Sequence, residues 1–231
     1  MCGRFYLAVE LENLLERYDI VDGEINYIPR YNIAPTQQIP VIINQDGENR
    51  IKLFSWGLIP HWAKDASFAS KMINARAETL ATKPSFKDAF LSRRCIIPAS
   101  GFYEWDKSRD KKQPFSFHLK SGGIMSLAGL WDRWQNPNGE VIYTFAIITT
   151  DPNDVIEPFH HRMAAILNPE DESKWLDPEN RDMMNLAALL KPYPSGKLTY
   201  HRVSEAVNSV RNDDSSLIEP VVSEEQLMFE L

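Results

Sequence analysis

Cysteine is scarce in this chain of 231 residues, and long apolar runs are absent. The two cysteines, Cys2 and Cys95, can form one disulfide at most, which excludes a disulfide framework and a CxxC metal clip. No run approaches the roughly 18 apolar residues of a membrane-spanning helix, and the first residues lack the pattern of a secretory signal. We therefore expect a cytoplasmic protein in a reducing setting, with no membrane contact.

Repeats, low-complexity tracts and Gly/Ser or Pro linkers are also missing. The lack of a repeat period of about 20–50 residues argues against solenoids and propellers. Hydrophobic residues make up 43% of the chain and charged residues 25%, as in ordinary globular proteins. Because predicted strands and helices do not alternate in β-α-β order, we predict one α+β domain around a mostly antiparallel sheet.

Hydrophobic periodicity predicts the elements of this domain. Predicted helices cover residues 10–20, 86–94, 168–176 and 180–192. Predicted strands include one that ends near Asn44, a buried strand over 94–105 bent at Pro98 and Gly101, two strands joined by residues 121–123, and strands over 141–150 and 198–204. The domain is expected to span 1–222, followed by a loose acidic tail at 223–231.

The net charge of −7 argues at first against a nucleic-acid partner, but the charge is unevenly distributed. Residues 52–120 hold 13 Lys and Arg against 6 Asp and Glu, whereas residues 1–51 hold 4 against 8 and residues 121–231 hold 8 against 18. A basic middle segment suits a polyanion. The alternative is that these cations pair with the acidic segments across the fold, and charge alone leaves both open.

Cys2 is the candidate nucleophile. A small residue at position 2 normally allows removal of the initiator methionine, which leaves an N-terminal cysteine with an amine and a thiol on adjacent carbons. Both groups are partly nucleophilic near neutral pH. Such a pair captures an aldehyde as a Schiff base that closes to a thiazolidine, or it attacks an amide. The alternatives are a chance cysteine or a lipidated one, although no polybasic or amphipathic anchor follows.

Other polar residues lie in apolar or loop surroundings. Glu104 is flanked by aromatic residues, which suits general acid–base work, although a strand-end carboxylate facing water is the simpler alternative. His160, His161 and Arg162 follow the strongest predicted strand, where catalytic residues often lie. The histidine pair has no third ligand at metal spacing, so we expect no metal site.

Aromatic residues alternate with cations over residues 56–76, a composition typical of single-stranded nucleic-acid sites. Trp56 is expected in the core and Trp62, in a more polar segment, at the surface. Cys95 is interpreted as an inert, buried strand residue.

Several segments together resemble one family. They are MCGRF, RYNIAPTQ, WGLIPHWAK, INARAET, RRCIIPASGFYEW, HHRM and VSEAVNSVRNDD, in this order from residue 1 to about 222. The chain is thereby similar to the SRAP family (SOS response-associated peptidase), and it differs from the family pattern at Ala63, His161 and Ala164. The resemblance implies a single domain of mixed sheets in a barrel-like core with peripheral helices.

The resemblance also implies a function in the DNA damage response. Family members bind single-stranded DNA at an abasic site and shield it by joining the N-terminal cysteine to the opened sugar as a thiazolidine. Carried onto this chain, Cys2 is the nucleophile, Asn74 hydrogen-bonds near the amine and the sugar, Glu104 shuttles protons, and His160 helps to open the sugar. Phosphate contacts and base stacking fall to four residues: Arg4, Trp62, Arg76 and Arg162.

The partner implied is single-stranded DNA that contains abasic sites, with no cofactor, and the protein is expected to be a monomer, nucleoid-associated if bacterial. A Schiff base to the abasic sugar also promotes β-elimination, so a side activity as a lyase is expected. Two alternatives stay open. One is a peptidase or amidohydrolase that uses Cys2, first to remove Met1 by autoproteolysis. The other is a non-covalent binder of single strands with an incidental Cys2.

Overall fold

A computed structural model describes residues 3–21, 23–106 and 112–221. Cys2 and the predicted tail at 223–231 lie outside the described residues. Within those ranges the chain forms strands β1 (Phe5–Leu7), β2 (Arg30–Ile33), β3 (Gln38–Gln45), β4 (Glu48–Trp56), β5 (Asn74–Arg76), β6 (Arg94–Ala99), β7 (Gly101–Asp106), β8 (Gln113–Leu119), β9 (Met125–Gln135), β10 (Val141–Thr150), β11 (Met163–Ala164), β12 (Ile166–Leu167) and β13 (Leu198–Arg202). The α-helices are α1 (Leu11–Arg17), α2 (Pro84–Ser92), α3 (Pro169–Leu176) and α4 (Met183–Ala188).

Five strands form an antiparallel sheet in the order β13-β8-β7-β1-β2. The N-terminal strand β1 is therefore not at an edge of this sheet, because it pairs with β2 on one side and β7 on the other. The eight remaining strands form a second sheet.

The second sheet closes on itself. Its order is β11-β10-β4-β3-β6-β9-β12, with β5 beside β10, and a further pairing joins β9 back to β10. Strands β10, β4, β3, β6 and β9 thus form a closed ring, in which only the pairing of β10 with β4 is parallel. The predicted α+β fold of mostly antiparallel sheets in a barrel-like core is confirmed.

Aromatic side chains connect the five-stranded sheet to the barrel. Phe5 of β1 makes an edge contact with Trp56 of β4 at 5.1 Å between ring centroids, and Trp56 stacks on Phe145 of β10 at 6.2 Å. All three side chains are completely buried, as expected for Trp56. Burial of a large apolar side chain stabilises the fold by about 1.5–3 kcal/mol. The contacts among these three rings therefore hold the two sheets together in one core.

The predicted strand over 94–105 is wrong in one respect, because it is two strands in different sheets. The chain leaves β6 in the barrel at Ala99 and enters β7 in the five-stranded sheet at Gly101. The N–H of Ser100 donates to the carbonyl of Tyr6 at 2.9 Å, which fixes the crossing. A Cβ at Gly101 would lie 2.1 Å from the hydroxyl of Tyr6, so only glycine fits there.

The predicted strands on either side of residues 121–123 also form, but β8 belongs to the five-stranded sheet and β9 to the barrel. The predicted helix over 180–192 is shorter than expected. Asp182 accepts hydrogen bonds from the N–H groups of Met184 and Asn185, and this cap starts α4 at Met183. None of the helices in the described ranges has the length and apolarity to cross a bilayer.

Candidate functional site

Glu104 is buried in the second half of β7. The residue is 5% exposed and is paired with Phe115 of β8. Because side chains alternate along a strand, Glu104 faces the same side as Phe102, whose ring stacks on Phe117 at 5.4 Å. The alternative of a strand-end carboxylate facing water is therefore wrong. A carboxyl group held among aromatic rings is a common environment of a general acid–base catalyst.

The chain segment nearest Cys2 runs beside Glu104. Phe5 is paired with Phe102, and the N–H of Tyr103 donates to the carbonyl of Arg4 at 3.0 Å. Since β1 and β7 are antiparallel, the chain before Phe5 runs in the direction of Glu104. Cys2 itself is not among the described residues, so the site is described through the residues around this segment.

Asn74 and Arg76 lie on β5, which pairs in parallel with β10. Asn74 is opposite Ile147 and Arg76 opposite Thr149. Their spacing of two residues places both side chains on one face of the strand. Asn74 is partly buried, whereas Arg76 is exposed. The pair thus combines an amide in a sheltered position with a cation at the surface, next to the carboxyl end of β10.

His160 lies in the loop that follows β10. Its Nδ1 lies 3.0 Å from the backbone nitrogen of Arg162 and 3.1 Å from the carbonyl oxygen of the same residue, so the Arg162 backbone offers a partner to either tautomer. The N–H of His160 donates to the carbonyl of Ile156 at 2.9 Å, and the ring stacks on His161 at 4.4 Å between centroids. The imidazole is therefore held by both the backbone and a neighbouring ring.

Arg162 has partners within the protein. Its side chain is 10% exposed and lies 2.8 Å from the carboxylate of Asp151 and 2.9 Å from that of Glu78. It also donates to the carbonyl of Thr149 at 2.6 Å. These contacts join the His160 loop to β10 and to the turn after β5, so Arg162 positions both segments.

Arg4 likewise has internal partners. Its Nη1 donates to Oδ1 of Asn32 at 2.7 Å and to the carbonyl of Val207 at 2.8 Å, and its guanidinium lies over the ring of Trp105 at 5.9 Å. Burial lowers the pKa of Arg4. Arg4 and Trp105 alternate with Phe5 and Glu104, so they lie on the opposite face of the five-stranded sheet from the Glu104 carboxylate.

Trp62 is 48% exposed, as expected, and its loop is firmly anchored. The N–H of His61 donates to the buried carboxylate of Asp132 at 3.0 Å, and the indole of Trp134 donates to the carbonyl of Ala63 at 2.7 Å. An edge contact with Phe68 at 5.6 Å supports the Trp62 ring. The ring is thus presented to solvent by a preformed loop, which suits a stacking residue.

The basic middle segment supplies exposed cations. Arg93 forms an ion pair with Asp132 at 3.1 Å, and Arg94 is buried, so part of the excess is internal. Other cations are exposed and have no ion pair within the described part of the chain: Lys64, Lys71, Arg76, Lys83 and Lys87. The alternative of complete pairing across the fold is therefore wrong for these five residues.

The structure brings most of the predicted catalytic residues to one region. Asn74 lies beside β10, His160 follows β10, and Phe159 contacts Phe115, the strand partner of Glu104, at 5.0 Å. The aromatic residues of this region, such as Phe115 and Phe159, were not predicted from the sequence, because aromatic residues in strands are most often core residues.

Cys95 is completely buried, and burial raises the pKa of its thiol well above the usual value, which confirms its interpretation as an inert core residue. Among residues 3–21, 23–106 and 112–221, no three His, Cys, Asp or Glu side chains are grouped so that they could hold a metal ion.

Comparison with known proteins gives a consistent result. A family model described as SOS response associated peptidase (SRAP) matches residues 1–210. The chain is 47% identical to the abasic site processing protein YoqW of Bacillus subtilis, with 95% of this chain and 99% of the relative covered. It is 31% identical to the abasic site processing protein HMCES of Gallus gallus, with 86% and 68% covered.

Solved structures share the fold. A crystal structure of a protein from Bacteroides thetaiotaomicron matches with a TM-score of 0.83 and 30% identity, over 96% of this chain and 100% of that one. A phage-related protein from Bordetella bronchiseptica matches with a TM-score of 0.71 and 26% identity, over 88% and 95%.

Proposed function

The chain belongs to the SOS response-associated peptidase (SRAP) family, and from this premise we propose that it binds abasic sites in single-stranded DNA and becomes covalently joined to them through Cys2. The names of its relatives, abasic site processing proteins, support the substrate. One structural observation carries the chemistry. The buried Glu104 carboxylate follows Tyr103, whose N–H binds the carbonyl of Arg4, two residues from Cys2.

The proposed reaction has two steps. After removal of Met1, the amine of Cys2 attacks the aldehyde carbon of the ring-opened abasic sugar, and loss of one water gives an imine. The thiol then adds to the imine carbon: a C–S bond forms, the thiol proton passes to the nitrogen, and a thiazolidine results. The adduct has the mass of protein plus DNA less one water. A cyclised aminothiol resists hydrolysis better than a simple imine, so it shields the lesion.

Three described residues have a part in this reaction: Glu104, Asn74 and His160. Glu104 moves protons during dehydration and ring closure, for which its sheltered position is suited. Asn74 hydrogen-bonds the amine and the opened sugar. His160 assists opening of the sugar ring, for which the backbone of Arg162 holds its imidazole in place.

DNA contacts are divided among exposed and buried residues. Arg76 binds a phosphate next to the lesion, and Trp62 stacks on a base, because both side chains are at the surface. Arg4 and Arg162 are the other two phosphate contacts of the proposal. Carbonyl, amide or carboxylate oxygens of the protein hold their guanidinium groups in position.

Intact-protein mass spectrometry tests the proposal. The protein is measured alone and after incubation with a single-stranded oligonucleotide that holds one abasic site. We expect a free protein without Met1 and a heat-stable species at the summed mass less one water. Cys2→Ser abolishes that species, and Glu104→Gln slows its formation by roughly a hundredfold, the range of general acid–base catalysis. Glu12→Gln, at an exposed position of α1, is the matched control and leaves the rate unchanged.

Retention of Met1, or a free N-terminus that forms no heat-stable adduct, contradicts the proposal. If Met1 is removed but no adduct forms, a second function takes first place. The description of the family as a peptidase favours a Cys2-dependent amide hydrolase, which removes Met1 by autoproteolysis. Turnover separates the two, because a peptidase cleaves many peptides whereas a crosslinking protein is consumed one to one with DNA. A lyase side activity would appear as strand cleavage through β-elimination of the imine.

A further inference from the structure

Four aromatic side chains form a cluster at one end of the five-stranded sheet, which we call the aromatic cluster: Phe115, Phe117, Phe159 and Tyr200. Phe159 contacts Phe115 and Phe117 at 5.0 Å each, and Tyr200 contacts Phe117 at 5.2 Å and Phe159 at 5.1 Å. Edge contacts predominate in this group, the geometry that aromatic rings favour.

The aromatic cluster is continuous with the candidate site. Phe115 is the strand partner of Glu104 on β8, and Phe159 directly precedes His160. A ligand that reaches both Glu104 and His160 therefore meets the aromatic cluster at the border of the site. No other exposed aromatic side chain of the described residues is joined to the site by such direct neighbours.

Burial within the aromatic cluster is graded. Phe117 is completely buried, Phe115 and Phe159 are partly buried, and Tyr200 is 46% exposed. A tyrosine on the edge strand β13 thus presents its ring to solvent while its neighbours hold it in place. Rings that are exposed and supported in this way are suited to stacking, because little conformational entropy is lost when a flat ligand binds.

A cation lies beside this surface. The register across three strands places Arg202 opposite Phe115 and Phe115 opposite Glu104, so Arg202 shares a face with both. Arg202 is partly exposed, donates to Gln113 at 2.7 Å and has no carboxylate partner among the described residues. An aromatic surface next to an unneutralised guanidinium has the chemistry of a nucleotide subsite, with the base on the ring and the phosphate on the cation.

We propose that Tyr200, supported by the aromatic cluster, stacks on the nucleobase that adjoins the abasic nucleotide. This inference rests on the proposed function, because single-stranded DNA with an abasic site is the ligand. The stacked base fixes the strand at one side of the lesion, so that the opened sugar is held between Glu104 and His160. Since every base has an aromatic face, the subsite tolerates any sequence.

The test combines a protein variant with a change in the DNA. Tyr200→Leu keeps an apolar side chain over Phe117 and Phe159 but removes the ring, whereas Tyr200→Phe keeps the ring. Each protein is mixed with two sets of oligonucleotides of equal length. One set has bases on both sides of the abasic site, and the other has an unreactive tetrahydrofuran spacer in place of the 5′ or the 3′ neighbour. The rate of adduct formation is measured at low DNA concentration.

We expect Tyr200→Leu to react about fivefold or more slowly than the unaltered protein on DNA with both neighbouring bases, and equally fast when the base on one side is a spacer. Tyr200→Phe should retain the original rate. Tyr143→Leu is the matched control: Tyr143 is 39% exposed and stacks on Phe54 at 5.3 Å, but it lies six residues along β10 from Thr149, roughly 20 Å away.

Two results overturn the inference. One is an unchanged rate for Tyr200→Leu on every oligonucleotide. The other is an equal loss with and without the neighbouring base, which means that Tyr200 only supports the loop of His160. If the unaltered protein forms no adduct, the crosslinking proposal fails separately, and the same comparison is made by fluorescence anisotropy on an unreactive abasic analogue. If Tyr200→Leu then binds the DNA more weakly only when the neighbouring base is present, the result still supports the stacking subsite.

Discussion

Three arginines carry the same charge in three different surroundings. Arg94 is buried, donates to backbone carbonyls such as that of Trp175 at 2.7 Å, and burial lowers its pKa to about 10. Arg162 lies between two carboxylates and a carbonyl, and Arg76 projects into solvent. Their surroundings in the fold thus differ, and of the three only Arg76 is exposed to solvent.

A histidine near the edge of the five-stranded sheet makes stability depend on pH. The ring of His118 lies 5.1 Å from that of His201, and Nδ1 of His118 is buried without a hydrogen-bond partner in the described part of the chain. Burial, and secondarily the neighbouring His201, lower the pKa of His118 from its ordinary value of 6.5. The unfolded chain therefore binds the proton at a higher pH than the folded protein does.

We expect the free energy of unfolding to fall as the pH drops below about 6.5. Above that pH, the stability of the fold with a neutral His118 is fully present. Urea unfolding of the unaltered protein and of His118→Gln, each at about pH 7.5 and about pH 5.5, measures it. The pH dependence should be smaller in His118→Gln and unchanged in His161→Gln, where the histidine is exposed. An identical pH dependence in all three proteins contradicts the assignment.

The crossing between β6 and β7 is the decisive connection at the scale of elements. Six residues of β6 lie in the barrel, and the next strand, which carries Glu104, lies in the other sheet. Gly101 makes this possible because Tyr6, held by a hydrogen bond of 2.9 Å to Ser116, occupies the space of a side chain. The position of the Glu104 carboxylate thus depends on a residue three positions before it.

Gly101→Ala should lower the free energy of unfolding by about 1–3 kcal/mol, because the new Cβ meets the immobilised Tyr6 ring. Chemical denaturation measures the change. Gly196→Ala is the control, since a Cβ at that position has no neighbour within 4 Å, and it should be nearly neutral. Equal stability of the two variants would show that the crossing relaxes at no cost.

Sequence patterns predicted most elements but not their arrangement. Apolar, β-branched runs identified β10 over 141–150, and the expected α3 was confirmed within one residue. The break at Gly101 was seen only as a bend, because periodicity reports local burial and not which sheet receives a strand. Exposure of Glu104 was left open for the same reason, since its cross-strand neighbour Phe115 is set by the pairing of β7 with β8.

At the scale of the whole molecule, the acidic net charge of −7 coexists with exposed cations in the middle segment of the chain. The exposed lysines and Arg76 of residues 64–87 lie in the part of the chain that also carries Trp62 and Asn74. Exposed cations in one segment, separate from the acidic segments, suit contact with a polyanion. The sequence predicted the separation of basic and acidic segments. It did not predict that Arg93 and Arg94 are bound within the protein, because their partners are set by the fold.

Arg76→Ala should weaken the binding of single-stranded DNA and reduce the slope of log affinity against log salt by about 0.7, the value for one phosphate contact on a single strand. Fluorescence anisotropy at several salt concentrations, in a Cys2→Ser background that prevents crosslinking, measures the slope. Stability should stay within about 0.5 kcal/mol, as is usual for exposed positions. Arg211→Ala, an exposed arginine of the acidic part, is the control and should keep the full slope.

The central place of β1 in its sheet imposes an order of events during synthesis. Its partner β2 ends at residue 33, but its other partner β7 ends only at residue 106. At about 5–20 residues per second, the ribosome needs roughly 4–15 s for the 73 residues between these two points. Throughout that interval β1 is unpaired on one side. The five-stranded sheet therefore cannot be complete until β7 has been made, although its first pair of strands is available much earlier.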